Sequence, residues 1–143
     1  MWDSRVLWVG VGYQRDSSHQ IEAAIQQVCC SWQITETAIA GIATIDHKAA
    51  DLHLAQLCSQ RNWACCFFPA DQLRQAGVPT PSGKVAAEVG TSSVAEAAAL
   101  LAASPDSVLL VPKQIIRQPE QPGSVTVAIA QSIAQSRSDS LSG

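Results

Sequence analysis

Short apolar runs alternate along the chain with stretches in which apolar residues recur every three or four positions, and this predicts strands interleaved with helices. Arg5 to Val11 reads as the first strand. Ser17 and Gln20 then have the spacing of a capping box for a helix whose Ile21, Ile25, Val28, Cys29 and Trp32 share one face. Ala38 to Ile45 is a second strand, followed by a helix that Asp46 caps and that carries Leu54, Leu57 and Cys58. Trp63 to Phe68 is a third strand, and a short helix over Asp71 to Gln75 stops at Gly77.

The texture changes at Val78-Pro79-Thr80-Pro81-Ser82, where each proline keeps the residue before it extended. A helix is predicted from Gly83 to Val89, ending at Gly90. Ser93 and Glu96 form a second capping-box pattern that opens the alanine-rich helix VAEAAALLAA. Ser107 to Val111 and Ser124 to Ala130 read as the last strands, and the loop from Pro112 to Gly123 is too short for a helical crossover, so the two are expected to pair antiparallel. Residues 1–130 form one domain in this reading, and 131–143 form a disordered, serine-rich tail. The expected fold is α/β, a three-layer αβα sandwich on a mostly parallel sheet of about five strands with a final antiparallel strand.

Composition narrows the function. With 143 residues, 47% hydrophobic but only 5% aromatic, the core must be built from Ala, Val, Ile and Leu. A net charge of -3 and a pI near 5.5 argue against nucleic-acid binding, which needs a basic surface. There is no apolar run of the roughly 18 to 20 residues that a membrane span needs, and Met1-Trp2-Asp3 does not open a secretory signal, so a cytoplasmic protein without membrane contact is expected. The five cysteines include the adjacent pairs Cys29-Cys30 and Cys65-Cys66. Neighbours on a strand point to opposite faces, so these are expected to be reduced thiols acting as small hydrophobes. His47 and His53 fall on different helix faces, and no protein-bound metal is expected.

Four stretches carry candidate chemistry. In Gly10-x-Gly12-x-x-Arg15 a glycine-containing strand end hands over to a capped helix beginning near Ser17, which favours an anion, and Arg15 adds a two-pronged donor. A tight turn with a solvated arginine is the simpler alternative. A dinucleotide loop fits poorly, because Arg15 stands at the third glycine position and the acid expected about 20 residues on has only Glu36 as a candidate, which precedes the second strand. ATIDHKAAD gathers Asp46, His47, Lys48 and Asp51 past the second strand, although an aspartate placed as Asp46 is usually a helix cap. Gly90, Thr91 and Ser92 begin another helix, and Lys113 follows LLVP as a further cation at a strand's carboxyl end. In an open parallel sheet these ends share one rim.

The pieces GVGYQRDSS, IATIDHKAAD, FFPADQL, VPTPS, VGTSSVAEAAALLAA, LLVPKQ and SVTVAIA occur in an order and spacing that cover residues 5–130. In this the chain resembles the C-terminal domain of the cobalamin-biosynthesis protein CbiG, related to CobE of the aerobic vitamin B12 pathway. Where the family commonly has glycine and arginine, this chain has Asp16 and Gln131. The resemblance implies a cobalt-precorrin-5A hydrolase, which opens a δ-lactone and releases acetaldehyde. It also implies a corrinoid or cobalt-precorrin as the bound partner, with cobalt arriving inside the substrate rather than as a cofactor of the protein. Full-length members carry N-terminal modules, and the chain reads as the C-terminal domain alone. A separate N-terminal protein, other pathway enzymes or a homodimer are its expected partners.

A corrin precursor is fringed with carboxylates, so its site needs separated anion holders around an apolar floor. Under the hydrolase reading, Asp46 or His47 is the general base. Lys48, helix amides or Lys113 then stabilise the oxyanion. Under a second reading the domain is a non-catalytic corrinoid carrier or assembly module, since no nucleophile, base and orienter stand out. A third and weaker reading is a nucleotide-binding α/β domain.

Overall fold

The structure is a computed structural model that describes residues 6–48, 51–74, 91–103, 107–119 and 123–132. Its sheet contains β1 (Leu7–Tyr13), β2 (Ile39–Ile45), β3 (Ala64–Phe68), β4 (Ser107–Ile116) and β5 (Val125–Ser132), in the order β3-β2-β1-β5-β4. β1, β2 and β3 are parallel, while β5 is antiparallel to both of its neighbours, β1 and β4. One strand therefore runs against the other four. The antiparallel pairing of the last two strands agrees with the short loop between them, but β5 lies inside the sheet and leaves β4 at its edge.

Side-chain size divides the two faces. Val9, Val11, Ile42, Val127 and Ile129 pack with Ile21, Ile25 and Val28 of α1 (Ile21–Trp32) and with Leu54 and Leu57 of α2 (Leu52–Arg61). On the other face, Ala43 and Ala130 meet α4 (Thr91–Ala103) through Ala97, Ala98, Ala99 and Ala103, with α3 (Ala70–Arg74) beside it through Leu73. Alternation along β5 serves both layers: Val125, Val127 and Ile129 supply bulk on one side, and the intervening Ala128 and Ala130 leave room on the other. These are the three layers of an αβα sandwich. Among the described residues no helix is long and apolar enough to cross a membrane.

Gly10 explains how closely the alanine helix docks. A Cβ added there would run into the Ala95 carbonyl and lie 2.8 Å from the Ala99 amide, so the backbones of β1 and α4 touch where neither has bulk. Ala99 and Ala103 continue toward Trp8 and Ala130, at the start of β1. α4 thus runs opposite to β1, and its N-terminus stands at the edge where β1 and β2 end.

Several sequence expectations are corrected. β1 continues through Tyr13, so Gly10 and Gly12 lie within the strand and do not form the turn after it. Gln14 makes that exit, followed by a 3-10 turn over Arg15–Gln20 before α1, and no side-chain cap is made at Gln20. Asp51 caps α2 in place of Asp46, accepting from the His53 and Leu54 amides. α4 begins at Thr91, which puts Ser93 inside it, and Glu96 Oε2 reaches across to β4. β4 extends to Ile116 and includes Lys113. β5 takes in Gln131 and Ser132, the first two residues assigned to the tail. Gly77, the proline turn, the helix predicted from Gly83 to Val89, Gly90 and residues 133–143 lie outside the described residues.

Candidate functional site at the carboxyl edge of the sheet

Beyond the backbone pairing of Gly10 with Ala43, β1 and β2 are held together by Thr44, whose hydroxyl donates to the Val11 carbonyl at 2.7 Å. Just past this point the chain turns at Tyr13 on one strand and through the 3-10 turn Asp46–Lys48 on the other. The two turns meet. Lys48 Nζ stands 4.6 Å from the centroid of the Tyr13 ring, a cation held over an aromatic face.

Tyr13 is almost fully buried, and its hydroxyl donates to Asp51 Oδ2 at 2.8 Å. Burial first, and the adjacent carboxylate second, hold the phenol well above its ordinary range, so it remains a donor. The other carboxylate oxygen of Asp51 accepts from the amides of His53 at 2.9 Å and Leu54 at 3.3 Å. One aspartate therefore ties the end of β1 to the start of α2.

His53 Nδ1 lies 3.2 Å from Ser18 Oγ and 4.0 Å from Asp51 Oδ1. Both contacts fall on one ring nitrogen, so this trio is no serine-histidine-aspartate relay, in which the partners occupy opposite nitrogens. Leu52, at the first position of α2, is 75% exposed and gives the polar group an apolar neighbour.

The predicted site residues divide by location. Asp46, His47 and Lys48 share the turn after β2, with Asp46 exposed. Arg15 opens the turn after β1, close in sequence to Tyr13. Thr91 and Ser92 form the first turn of α4, at the same edge but on the opposite face of the sheet. Ser17 is fully buried, and a Cβ on Gly123, which has φ +82°, would meet its hydroxyl, so it lies beneath the β4–β5 connection instead of facing the rim. Gly10 and Gly12 are buried within β1, Gly12 opposite Thr126. Gly90 lies outside the described residues.

Lys113 departs most from expectation. It sits inside β4 where the register shifts between Val111 and Gln114, and its backbone N–H donates to Glu96 Oε2 at 3.0 Å. Three strand spacings, about 14 Å, separate β4 from β2, so Lys113 and Lys48 stand far apart.

Tyr13, Ser18 and the partnership of Asp51 with His53 are what sequence reasoning missed. The available signal was that the chain's one tyrosine closes its first strand. Away from this rim, a shallow cavity lined by Glu36, Thr37, Ile39, Arg61 and Trp63 opens where β2 begins. Its arginine is paired with Glu22 at 2.7 Å and with Glu36, and it lies 5.4 Å from the Trp63 ring, so that charge is already matched. Among the described residues, no group of three or more His, Cys, Asp or Glu side chains is placed to hold a metal ion.

No curated protein matches the chain significantly. Among solved structures, CobE, a protein from the cobalamin (vitamin B12) biosynthetic pathway, is 26% identical with a TM-score of 0.69, and the match covers 88% of this chain and 93% of that one. The cobalamin biosynthesis protein chiG from Agrobacterium tumefaciens str. C58 is 27% identical with a TM-score of 0.66, covering 89% and 98% respectively. The model of the family described as cobalamin synthesis G C-terminus matches residues 7–130. The chain belongs to that family, and its role is in cobalamin biosynthesis.

Proposed function

We propose that the carboxyl edge around Lys48, Tyr13 and Asp51 binds a cobalt-precorrin intermediate and contributes to hydrolysis of the cobalt-precorrin-5A lactone, with release of acetaldehyde. The observation that carries this reading is the Lys48 ammonium held over the ring of buried Tyr13, whose hydroxyl is bound by Asp51, which fixes a cation at the edge where β1 and β2 end. Topology supports the position. α1 and α2 cover one face as the chain moves from β1 to β3, whereas α4 crosses on the other face to reach β4, so the winding reverses beside β1. Ligands of open α/β sheets lie at such reversals.

In this mechanism Lys48 holds an acidic arm of the ring or the developing oxyanion, and the first turn of α4 offers amides from the other side. Asp46 or His47, in the same turn as Lys48, is the base that activates water. Arg15 takes a second carboxylate. The protein acts in the cytoplasm, on a substrate that brings its own cobalt.

A non-catalytic carrier is the second reading, favoured by a specific observation: Asp51 is already engaged by Tyr13, His53 and Leu54, and His53 forms no relay. Incubating the chain with the lactone, alone and with a separately supplied N-terminal CbiG protein, separates the two. Acetaldehyde in either mixture supports hydrolysis. Saturable quenching of the four tryptophans by corrinoid without acetaldehyde supports the carrier. Neither signal in any mixture removes both.

A further inference from the structure

α2 ends at Arg61, and after the left-handed Asn62 (φ 61°) the chain reverses into β3, which returns alongside the helix. This reversal brings Cys58, in the last turn of α2, against Cys65, the second residue of β3. Their sulfurs are 3.1 Å apart, about 1 Å longer than a disulfide bond, and Cys58 Sγ also faces the Ala64 carbonyl at 3.9 Å. Cys66, the adjacent residue, points to the opposite side of the sheet with Ala43 and Leu73. Cys58 is buried, whereas Cys65 is half-buried on β3, an edge strand among the described residues.

We propose that Cys58 and Cys65 are a modification site at which a low-molecular-weight disulfide closes a reversible intramolecular disulfide between α2 and β3. The two sulfurs have different parts. With Cys58 as donor, their shared hydrogen bond holds Cys65 below the ordinary thiol range, and the same bond, followed by burial, holds Cys58 above it. Cys65 is then the attacking thiolate and Cys58 the resolving thiol.

In the first step Cys65 attacks one sulfur of the small disulfide, forming a mixed disulfide and expelling one thiolate. That thiolate takes the proton of Cys58, whose sulfur attacks Cys65 Sγ and expels the second small thiolate. The second thiolate takes from solvent the proton that Cys65 gave up on ionising, so the protein loses two hydrogens and one small disulfide is reduced to two thiols.

The test uses the whole chain and oxidised glutathione, with timed alkylation and mass spectrometry after trypsin, which cuts after Arg61 and so separates the two cysteines. The expected product is a Cys58–Cys65 cross-linked peptide pair, lighter by two hydrogens and formed at least tenfold faster than any adduct on Cys66. Cys58→Ser should stop the reaction with glutathione retained on Cys65. A second readout, on unmutated protein, is reversal of the cross-link by dithiothreitol. The proposal is overturned if glutathione stays on Cys65 in the unmutated protein, if Cys65 links to another cysteine, or if Cys65 is untouched while exposed Cys30 is modified.

Discussion

The Tyr13 hydroxyl and the Asp51 carboxylate meet at 2.8 Å across 38 residues of chain, joining the end of the first strand to the cap of the second helix. Their unequal roles set unequal costs. Tyr13→Phe removes one hydrogen bond to a charged group and should lower stability by about 1.5 kcal/mol. Asp51→Ala also removes the cap and strands a buried hydroxyl, and should cost about 2 to 4 kcal/mol. Urea denaturation of the two single variants and the double variant measures the coupling, and additive losses would show that the bond contributes nothing.

Gly10 tests what the glycines do. Gly10→Ala drives a methyl group into the Ala95 carbonyl and should cost about 3 kcal/mol or more, because both backbones must move. A variant with an unchanged urea midpoint but weakened corrinoid binding would instead return Gly10 to the ligand.

Lys48 is expected to matter for ligand more than for fold. Its cation–π contact contributes about 0.5 to 1 kcal/mol, so Lys48→Gln should shift the urea midpoint little. The corrinoid dissociation constant, read from tryptophan quenching, should rise about tenfold, and that difference should shrink in high salt.

Burial pushes the Cys29 thiol from its ordinary 9.0 up to about 11, with Glu36 adding to the effect. The folded state therefore favours the protonated thiol. Its stabilising contribution is complete below pH 9 and is lost as pH rises through about 11. Urea midpoints across that window should fall, and the fall should be smaller in Cys29→Ala; equal slopes would remove the effect from this residue.

Glu96→Ala deprives the Lys113 amide of its acceptor at the irregular part of β4 and should cost about 1 to 3 kcal/mol. Hydrogen exchange at Lys113 should accelerate in the variant, and unchanged protection would assign that amide another partner.

The layers were legible because periodicity reports which side of an element is buried, and Ile21, Ile25, Val28, Leu54 and Leu57 all lie in the core as their spacing predicts. Contacts between distant residues were not. A glycine in a strand because a helix presses on it resembles a glycine in a turn, so Gly10 looked like part of a loop. Asp46 and Asp51 both precede the same helical pattern, and local spacing alone does not choose between them. Nothing in the local spacing around Glu96 shows that its carboxylate also accepts from a strand 17 residues later. Of the rim, the cluster around Lys48 was visible in the string of letters, whereas Tyr13 and Ser18 reach it only through tertiary structure.

Placing β5 between β1 and β4 also has a consequence for synthesis. Among the described strands β4 pairs only with β5, which is made after it, and until β5 emerges β1 keeps an open side. A nascent chain released before Val125 would expose two unsatisfied strand edges, both able to recruit a neighbour. Of the described strands β5 is made last and is the keystone, and the sheet must wait for it before it can shut.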